Sequence, residues 1–253
     1  MQENSPRAPM IQIQQLSFLY KDMPLWIDLN LTLKAGLVTC LLGPSGVGKT
    51  TLLRLIAGLI TLPSTTPSIT ADGNPILPSD VAYLAQTDLL LPWLSALDNV
   101  LIGTRLRGMP SDTMTKQAKS LFRRMGLSHA LHQYPHELSG GMRQRVALAR
   151  TLLEEKSIVL MDEPFSAVDC ITRFELQTLA TELLRGRTVL LVTHDPYEAL
   201  RIADEIYVLA GNPAQLQKAA SLTTKTPRAL TDVELIQYQA ILFALLTEAK
   251  HNS

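Results

Sequence analysis

The 253-residue sequence is short of several things, and each shortage excludes something. It holds only two cysteines, Cys40 and Cys170, far apart and without metal-ligand spacing. They exclude a disulfide framework and suit a reducing compartment, as small core residues or bystanders. Neither charge is in excess: 23 Lys and Arg face 23 Asp and Glu, so the electrostatic footprint of a nucleic-acid-binding surface is missing. No apolar run approaches the ~20 residues that a helix needs to cross a bilayer. Work at a membrane would therefore require an embedded partner. Met1–Pro9 is polar and lacks an apolar core segment, so it shows no secretory signal and reads as a frayed tail. Internal repeats and low-complexity tracts are also missing. Apolar residues are plentiful, at 46%. That suffices for the core of one large domain, or of a domain with a subdomain.

One stretch organises the rest. An apolar run from Leu37 to Leu42 leads into Gly43-Pro44-Ser45-Gly46-Val47-Gly48-Lys49-Thr50-Thr51, and a helical pattern follows to Leu59. This is G-x-x-x-x-G-K-T in the strand–loop–helix setting that a true phosphate loop requires. Gly43, Gly46 and Gly48 let the backbone curl so that successive N–H groups point at phosphate oxygens. The helix that follows adds the positive end of its dipole. Lys49 is expected to reach the β- and γ-phosphates of a nucleoside triphosphate, and the Thr50 hydroxyl to ligate Mg²⁺.

The remaining pattern is α/β. Ile11-Gln12-Ile13, Leu16-Ser17-Phe18 and Ile27 to Leu33 alternate as antiparallel strands. Tyr20, between the first two pieces and the third, either stacks on a base or simply edges a sheet. Residues 61–79 are rich in Pro, Ser, Thr and Gly and predict loops around a short strand. Val81 to Ala85 predicts a strand ending at Gln86. Helical patterning then runs over Leu97–Leu106, over Met114–Met125 and onward from Ser139-Gly140-Gly141. Ser157–Met161 and Thr188–Val192 read as buried parallel strands with a helix, Ile171–Leu184, between them. Ile206–Leu209 predicts a further strand. After residue 210 only a short helical tail is expected, capped by Thr231 and Glu234, with a stripe at Leu235, Tyr238, Leu242 and Leu245 that packs on the core.

A second constellation complements the first. Ile158-Val159-Leu160-Met161 runs into Asp162 and Glu163, two carboxylates at the C-terminal end of a buried strand, where ligands bind in open α/β sheets. Asp162 would hold Mg²⁺ opposite Thr50, and Glu163 would orient or deprotonate the water attacking the γ-phosphate. Ser139 reads as an N-cap, with Gly140 and Gly141 exposing N–H groups at the tip of a helix. Such a tip is a second anion-binding terminus or an ordinary cap. His194 lies past an apolar strand, beside the carboxylate-bearing strand ends.

Taken together these motifs resemble the ATP-binding subunit of an ABC transporter over nearly the whole chain. Gly43–Thr50 resembles the Walker A motif, Leu138–Gln144 the signature motif and Ile158–Glu163 Walker B. Ser166-Ala167-Val168-Asp169 resembles the D-loop. Gln86 falls at the Q-loop position, His194 at the switch histidine and Tyr20 at the A-loop aromatic. The resemblance implies a P-loop NTPase core, mostly parallel, with an N-terminal antiparallel β subdomain and an inserted α-helical subdomain. It implies a tail over 1–9, an ABC ATPase domain over 10–230 with its helical subdomain at about 88–150, and a C-terminal amphipathic helix over 231–253. Glu163, His194 and Gln86 would be catalytic, with His194 holding the γ-phosphate and Gln86 sensing Mg²⁺ and the membrane partner. Tyr20 would stack on adenine. Nucleotide would be gripped by Gly43–Thr51 of one copy and by Ser139, Gly140, Gly141 and Asp169 of another, in a head-to-tail ATP sandwich dimer. Thr50, Gln86 and Asp162 would face Mg²⁺.

Leu90–Val100, Asp169–Gln177 and Gly211-Asn212-Pro213 look most like the nitrate/sulfonate/taurine importer group, and importers of thiamine precursors share similar stretches. Partners implied are integral-membrane permease subunits and, indirectly, a substrate-binding protein, with the chain peripheral on the cytoplasmic face of the inner membrane. Pro92 and Trp93 would either receive a permease helix or be buried. Cys170 stands where a small residue is usual, and Ala85 where the family often has a bulky one. The rival expectation is a soluble ABC-type ATPase acting on nucleic acid or ribosomes. Such proteins carry paired cassettes, a coiled-coil insertion or a basic surface, and this sequence shows none of these.

Overall fold

The computed structural model describes residues 8–21, 23–61, 69–109 and 111–251, with residues 250 and 251 described by backbone alone. Of the tail expected over 1–9, residues 1–7 lie outside that set. Ala8 is buried, and the Pro9 carbonyl accepts from the Thr188 hydroxyl at 2.6 Å. The chain forms two compact units. The first is drawn from residues up to Val81, from Ser157–Asp162 and from Arg185 onward; the second comprises Ala82–Lys156 and Glu163–Leu184.

In the first unit, β1 (Ile11–Tyr20) and β2 (Met23–Leu33) pair antiparallel. With β4 (Ile69–Ala71) and β5 (Asn74–Pro75) they make a four-stranded sheet in the order β2-β1-β4-β5. Alternation along β1 is broken by register shifts after Ile13 and Leu16, and Gln15 there has a φ of +49°. Such bulges bend a strand and re-aim its side chains.

Behind this sheet in sequence come the buried strands. β3 (Val38–Leu42), β7 (Ile158–Asp162) and β8 (Thr188–Val192) are buried at every position. Continuous apolar runs of that length suit parallel strands covered on both faces. β3 pairs parallel with β8 and with β9 (Glu205–Gly211), and β7 pairs parallel with β8. Helix α1 (Lys49–Ile56) packs on β7 and β8, and α6 (Pro196–Ile202) on β3. Asp195 caps α6, its Oδ1 accepting from the Tyr197 amide at 2.9 Å, with Pro196 in the first turn where its missing N–H costs nothing.

Two expectations for the C-terminal part fail. Residues past 210 are not only a helical tail: β10 (Ala214–Ser221) pairs antiparallel with β9 across the Gly211-Asn212-Pro213 turn. Its sequence, Ala-Gln-Leu-Gln-Lys-Ala-Ala-Ser, has little intrinsic strand preference, and pairing with β9 imposes the conformation. Nor do Thr231 and Glu234 form a capping box. The cap of α7 (Val233–His251) is Asp232, whose Oδ1 accepts from the Glu234 and Leu235 amides. Glu234 instead turns back to the Thr223 and Thr224 amides and hydroxyls, which offer its carboxylate four donors. Helix α7 packs on α6, β9 and β10, with Leu235 and Leu242 buried.

The second unit is mainly helical. It opens at β6 (Val81–Leu84) and contains α2 (Ala96–Leu106), α3 (Asp112–Arg124), α4 (Gly140–Leu153) and α5 (Cys170–Leu184). The block expected at about 88–150 lies inside it, together with the flanking segments and α5. Serine caps α2, α3 and α4: the hydroxyls of Ser95, Ser111 and Ser139 accept from the amides of Asp98, Met114 and Met142. Helices α2 and α3 pack on α4.

Candidate functional site

The phosphate loop connects β3 to α1, and two of its glycines have clear physical reasons. Gly48 has a φ of +98°, and a Cβ there would lie 2.5 Å from the Trp26 ring and 2.6 Å from the Leu25 side chain. A Cβ on Gly43 would collide with the Leu209 carbonyl. The loop backbone is therefore pressed against its own unit from two sides, leaving a concave inner face. Trp26, fully buried, locks it further by donating its indole N–H to the Val47 carbonyl at 3.0 Å. Sequence reasoning missed Trp26; an indole 21 residues upstream gives no local signal. The Lys49 ammonium donates to the Gly43 and Pro44 carbonyls at 2.8 and 2.7 Å, so it sits at the loop's own centre.

Thr50 and Asp162, 112 residues apart in sequence, meet at the edge of the loop. The Thr50 hydroxyl donates to Asp162 Oδ2 at 2.7 Å. Burial pushes the Asp162 carboxyl above its ordinary value, opposed by the Thr50 hydrogen bond and by the positive charges of Lys49 and Arg54. A buried carboxylate beside a hydroxyl is a hard-oxygen pair, the donor chemistry that Mg²⁺ takes. Among the described residues no group of three or more His, Cys, Asp or Glu side chains is placed to hold a metal alone. The remaining oxygens around a cation here would come from nucleotide phosphates and water. The concave loop and this pair fit a Mg²⁺-nucleotide.

His194 follows β8, two residues past Val192, which is the register partner of Asp162. It is exposed and stands next to the α6 cap. Tyr20, at the end of β1, is 57% exposed. It lines a cleft of about 310 Å³ with Met23, Pro24 and Leu25, with Ser45–Val47 of the loop, and with Gly211, Asn212 and Ala214. The structure thus brings Tyr20 and the phosphate loop into one cleft, and adds the β9–β10 turn, which the sequence did not place there.

The other predicted residues belong to the second unit. Gln86 is exposed just past β6. Ser139 and Gly140 are exposed at the tip of α4. Gly141 has a packing role as well: a Cβ there would lie 3.0 Å from the Ala167 carbonyl and 3.5 Å from Val168. Glu163 is buried with a φ of +52°, a left-handed conformation that costs a non-glycine residue about 1 kcal/mol or more. Its turn is held from α4, where the buried Gln144 amide donates to the Glu163 and Pro164 carbonyls at 3.4 and 3.3 Å. Asp169 is exposed and caps α5, accepting from the Ile171 and Thr172 amides, and the Thr172 amide in particular holds its carboxyl below the ordinary value. That cap was not anticipated, although an acid ahead of a helical pattern signals one.

Trp93 is 70% exposed, which removes the expectation that it is buried. The segment that carries it is rigidly tied. Buried Asn99 donates to the Leu91, Leu94 and Ser95 carbonyls at 3.1 Å and accepts from the Leu91 amide at 2.7 Å. Arg150 donates to the Asp88 and Leu89 carbonyls. Leu89, four residues before Trp93, is 61% exposed.

A buried parallel sheet, a glycine-cradled lysine turn and a carboxylate at the end of the next strand but one define a P-loop nucleoside triphosphatase. Comparison narrows the class. Residues 27–166 match the ABC transporter family. An uncharacterized ABC transporter ATP-binding protein of Haemophilus influenzae is 46% identical over 212 residues, 84% of this chain and 86% of its own length. The aliphatic sulfonates import ATP-binding protein of Burkholderia cenocepacia is 39% identical over 238 residues, 92% of this chain and 86% of its own. Among solved structures, a dimeric ATP-binding cassette in a post-hydrolysis state with ADP and Pi superposes with a TM-score of 0.73 at 28% identity, covering 85% of this chain and all of that one. The chain belongs to the ABC transporter family and is an ATPase of that family. It carries the family's fold: an antiparallel sheet, a mostly parallel sheet and a helical unit.

Proposed function

We propose that this ATPase powers an importer, closing as a head-to-tail pair on ATP and handing the movement to permease subunits in the inner membrane. The observation that carries this reading is the Thr50–Asp162 hydrogen bond beside the glycine cradle. The bond holds a hydroxyl and a carboxylate together, and these are the hard oxygens that a cation on the β- and γ-phosphates would take.

The loop N–H groups and Lys49 would bind the phosphates, Thr50 and Asp162 would hold Mg²⁺, and Gln86 would complete its surroundings. The ion, when bound, neutralises charge developing on the phosphoryl oxygens. Glu163 would orient the attacking water and take its proton, its left-handed turn held by Gln144. His194 would hold the γ-phosphate, and Tyr20 would stack on the base. The tip of α4, with Ser139, Gly140 and Gly141 exposed or half-exposed and an aligned helix behind them, would grip the γ-phosphate of the other copy, with Asp169 beside it. Charge-assisted hydrogen bonds to phosphate supply the closing energy.

The exposed Trp93 and Leu89, on a segment tied by Asn99 and Arg150, would receive an apolar element of the permease. No helix among the described residues is long and apolar enough to cross a membrane. A peripheral place on the cytoplasmic face, with a substrate-binding protein further along, follows from the importer reading. The relative named for aliphatic sulfonate import supports a sulfonate-type organic anion as the cargo class.

The test is Glu163→Gln with saturating ATP. Hydrolysis should fall by about 10²–10⁴-fold, and light scattering should show a dimer that ADP does not produce. A variant that stays monomeric in ATP, even with its permease supplied, would overturn the sandwich.

A further inference from the structure

The cleft beside the phosphate loop has three polar side chains on its rim, Tyr20, Ser45 and Asn212. Ser45 belongs to the phosphate loop and Tyr20 offers a ring face. The Asn212 carboxamide is left as the group suited to meet the edge of a base. Asparagine is common in turns for two reasons: it tolerates a positive φ, and its side chain bonds to nearby backbone. Neither applies to Asn212. The positive φ of the β9–β10 turn is at Gly211, +96°, and not at Asn212. No hydrogen bond ties the exposed Asn212 side chain to another described residue. Asn212 lines the cleft, and no described residue holds its side chain.

A carboxamide presents an acceptor and a donor side by side. Adenine offers the complement, an exocyclic 6-amine next to the N7 acceptor, and asparagine pairs with that edge in two-point fashion. On the same edge a 6-oxopurine shows two acceptors, O6 and N7, which a carboxamide matches in neither orientation. We propose that Asn212 reads position 6 of the purine and makes this site prefer adenine nucleotides to 6-oxopurine nucleotides. The proposal rests on the cleft being the nucleotide site.

Binding of ATP and of inosine 5′-triphosphate, which differ only at position 6 and the adjoining N1, is the measurement, by titration calorimetry on the full chain. The wild type should bind ATP tighter by about tenfold, the worth of one two-point pair. Asn212→Ala should weaken ATP by about that factor, leave the inosine nucleotide unchanged and bring the ratio near one. Asn212→Asp, which keeps the acceptor for the 6-amine, should retain the preference. Lys49→Ala should weaken both nucleotides alike. A wild type without preference, or a ratio that Asn212→Ala leaves unchanged, overturns the role of Asn212 while the nucleotide site stands. A wild type that binds neither nucleotide overturns both.

Discussion

The Trp26 indole N–H donates to the Val47 carbonyl at 3.0 Å, tying β2 of the antiparallel sheet to the phosphate loop. Both residues are buried, so water does not replace the bond when it is lost. The phosphate loop is shaped by a buried side chain that lies outside it in sequence.

Trp26→Phe keeps an aromatic ring in the core but strands the Val47 carbonyl. A buried acceptor left unpaired costs about 1–3 kcal/mol. The melting temperature should fall, and ATP should bind more weakly because the loop is less well shaped. Calorimetry on both properties checks this; unchanged ATP affinity would remove Trp26 from the account of the loop.

Gly48→Ala tests the same contact from the other side. The left-handed backbone at +98° costs an alanine about 1–3 kcal/mol. Its Cβ would also strike the Trp26 ring, which is packed and cannot retreat. The loop must open, and ATP binding should be lost while the protein still folds at lower temperature. Binding within twofold of the wild type would contradict this.

Asn99 and Trp93 separate holding from docking. Asn99→Ala leaves the Leu91 amide and several carbonyls without their partner and should destabilise by about 1–3 kcal/mol. Trp93→Ala removes an exposed ring and should change stability by less than about 0.5 kcal/mol. Only the second should lose association with membranes carrying the permease at full thermal stability. Retained association would place the docking surface elsewhere.

Glu234 gives a pH dependence. The Thr224 amide, the Thr223 hydroxyl and further bonds from the same two residues hold its carboxyl at about 2, against an ordinary 4.5. The folded value lies below the unfolded one, so its contribution is complete above about pH 4.5 and disappears as pH falls toward 2. Glu234→Gln should therefore melt below the wild type at pH 7, with the gap closing on acidification across that window. A gap constant with pH would mean that the Glu234 charge contributes nothing to docking of α7.

The sequence by itself determined whatever depends on near neighbours. The glycine–lysine turn, the Ser139 cap, the all-apolar strands ending at Asp162 and Val192, and the helices of the second unit were legible because their signals lie within a few residues. Only the tertiary structure decided what depends on chain segments far apart. Trp26 reaches Val47, Glu234 leaves its own helix for Thr223 and Thr224, β10 is a strand because β9 lies beside it, and Asn212 joins Tyr20 in one cleft. Local propensity is a sum over adjacent residues, whereas burial and long-range hydrogen bonding choose partners that adjacency does not contain.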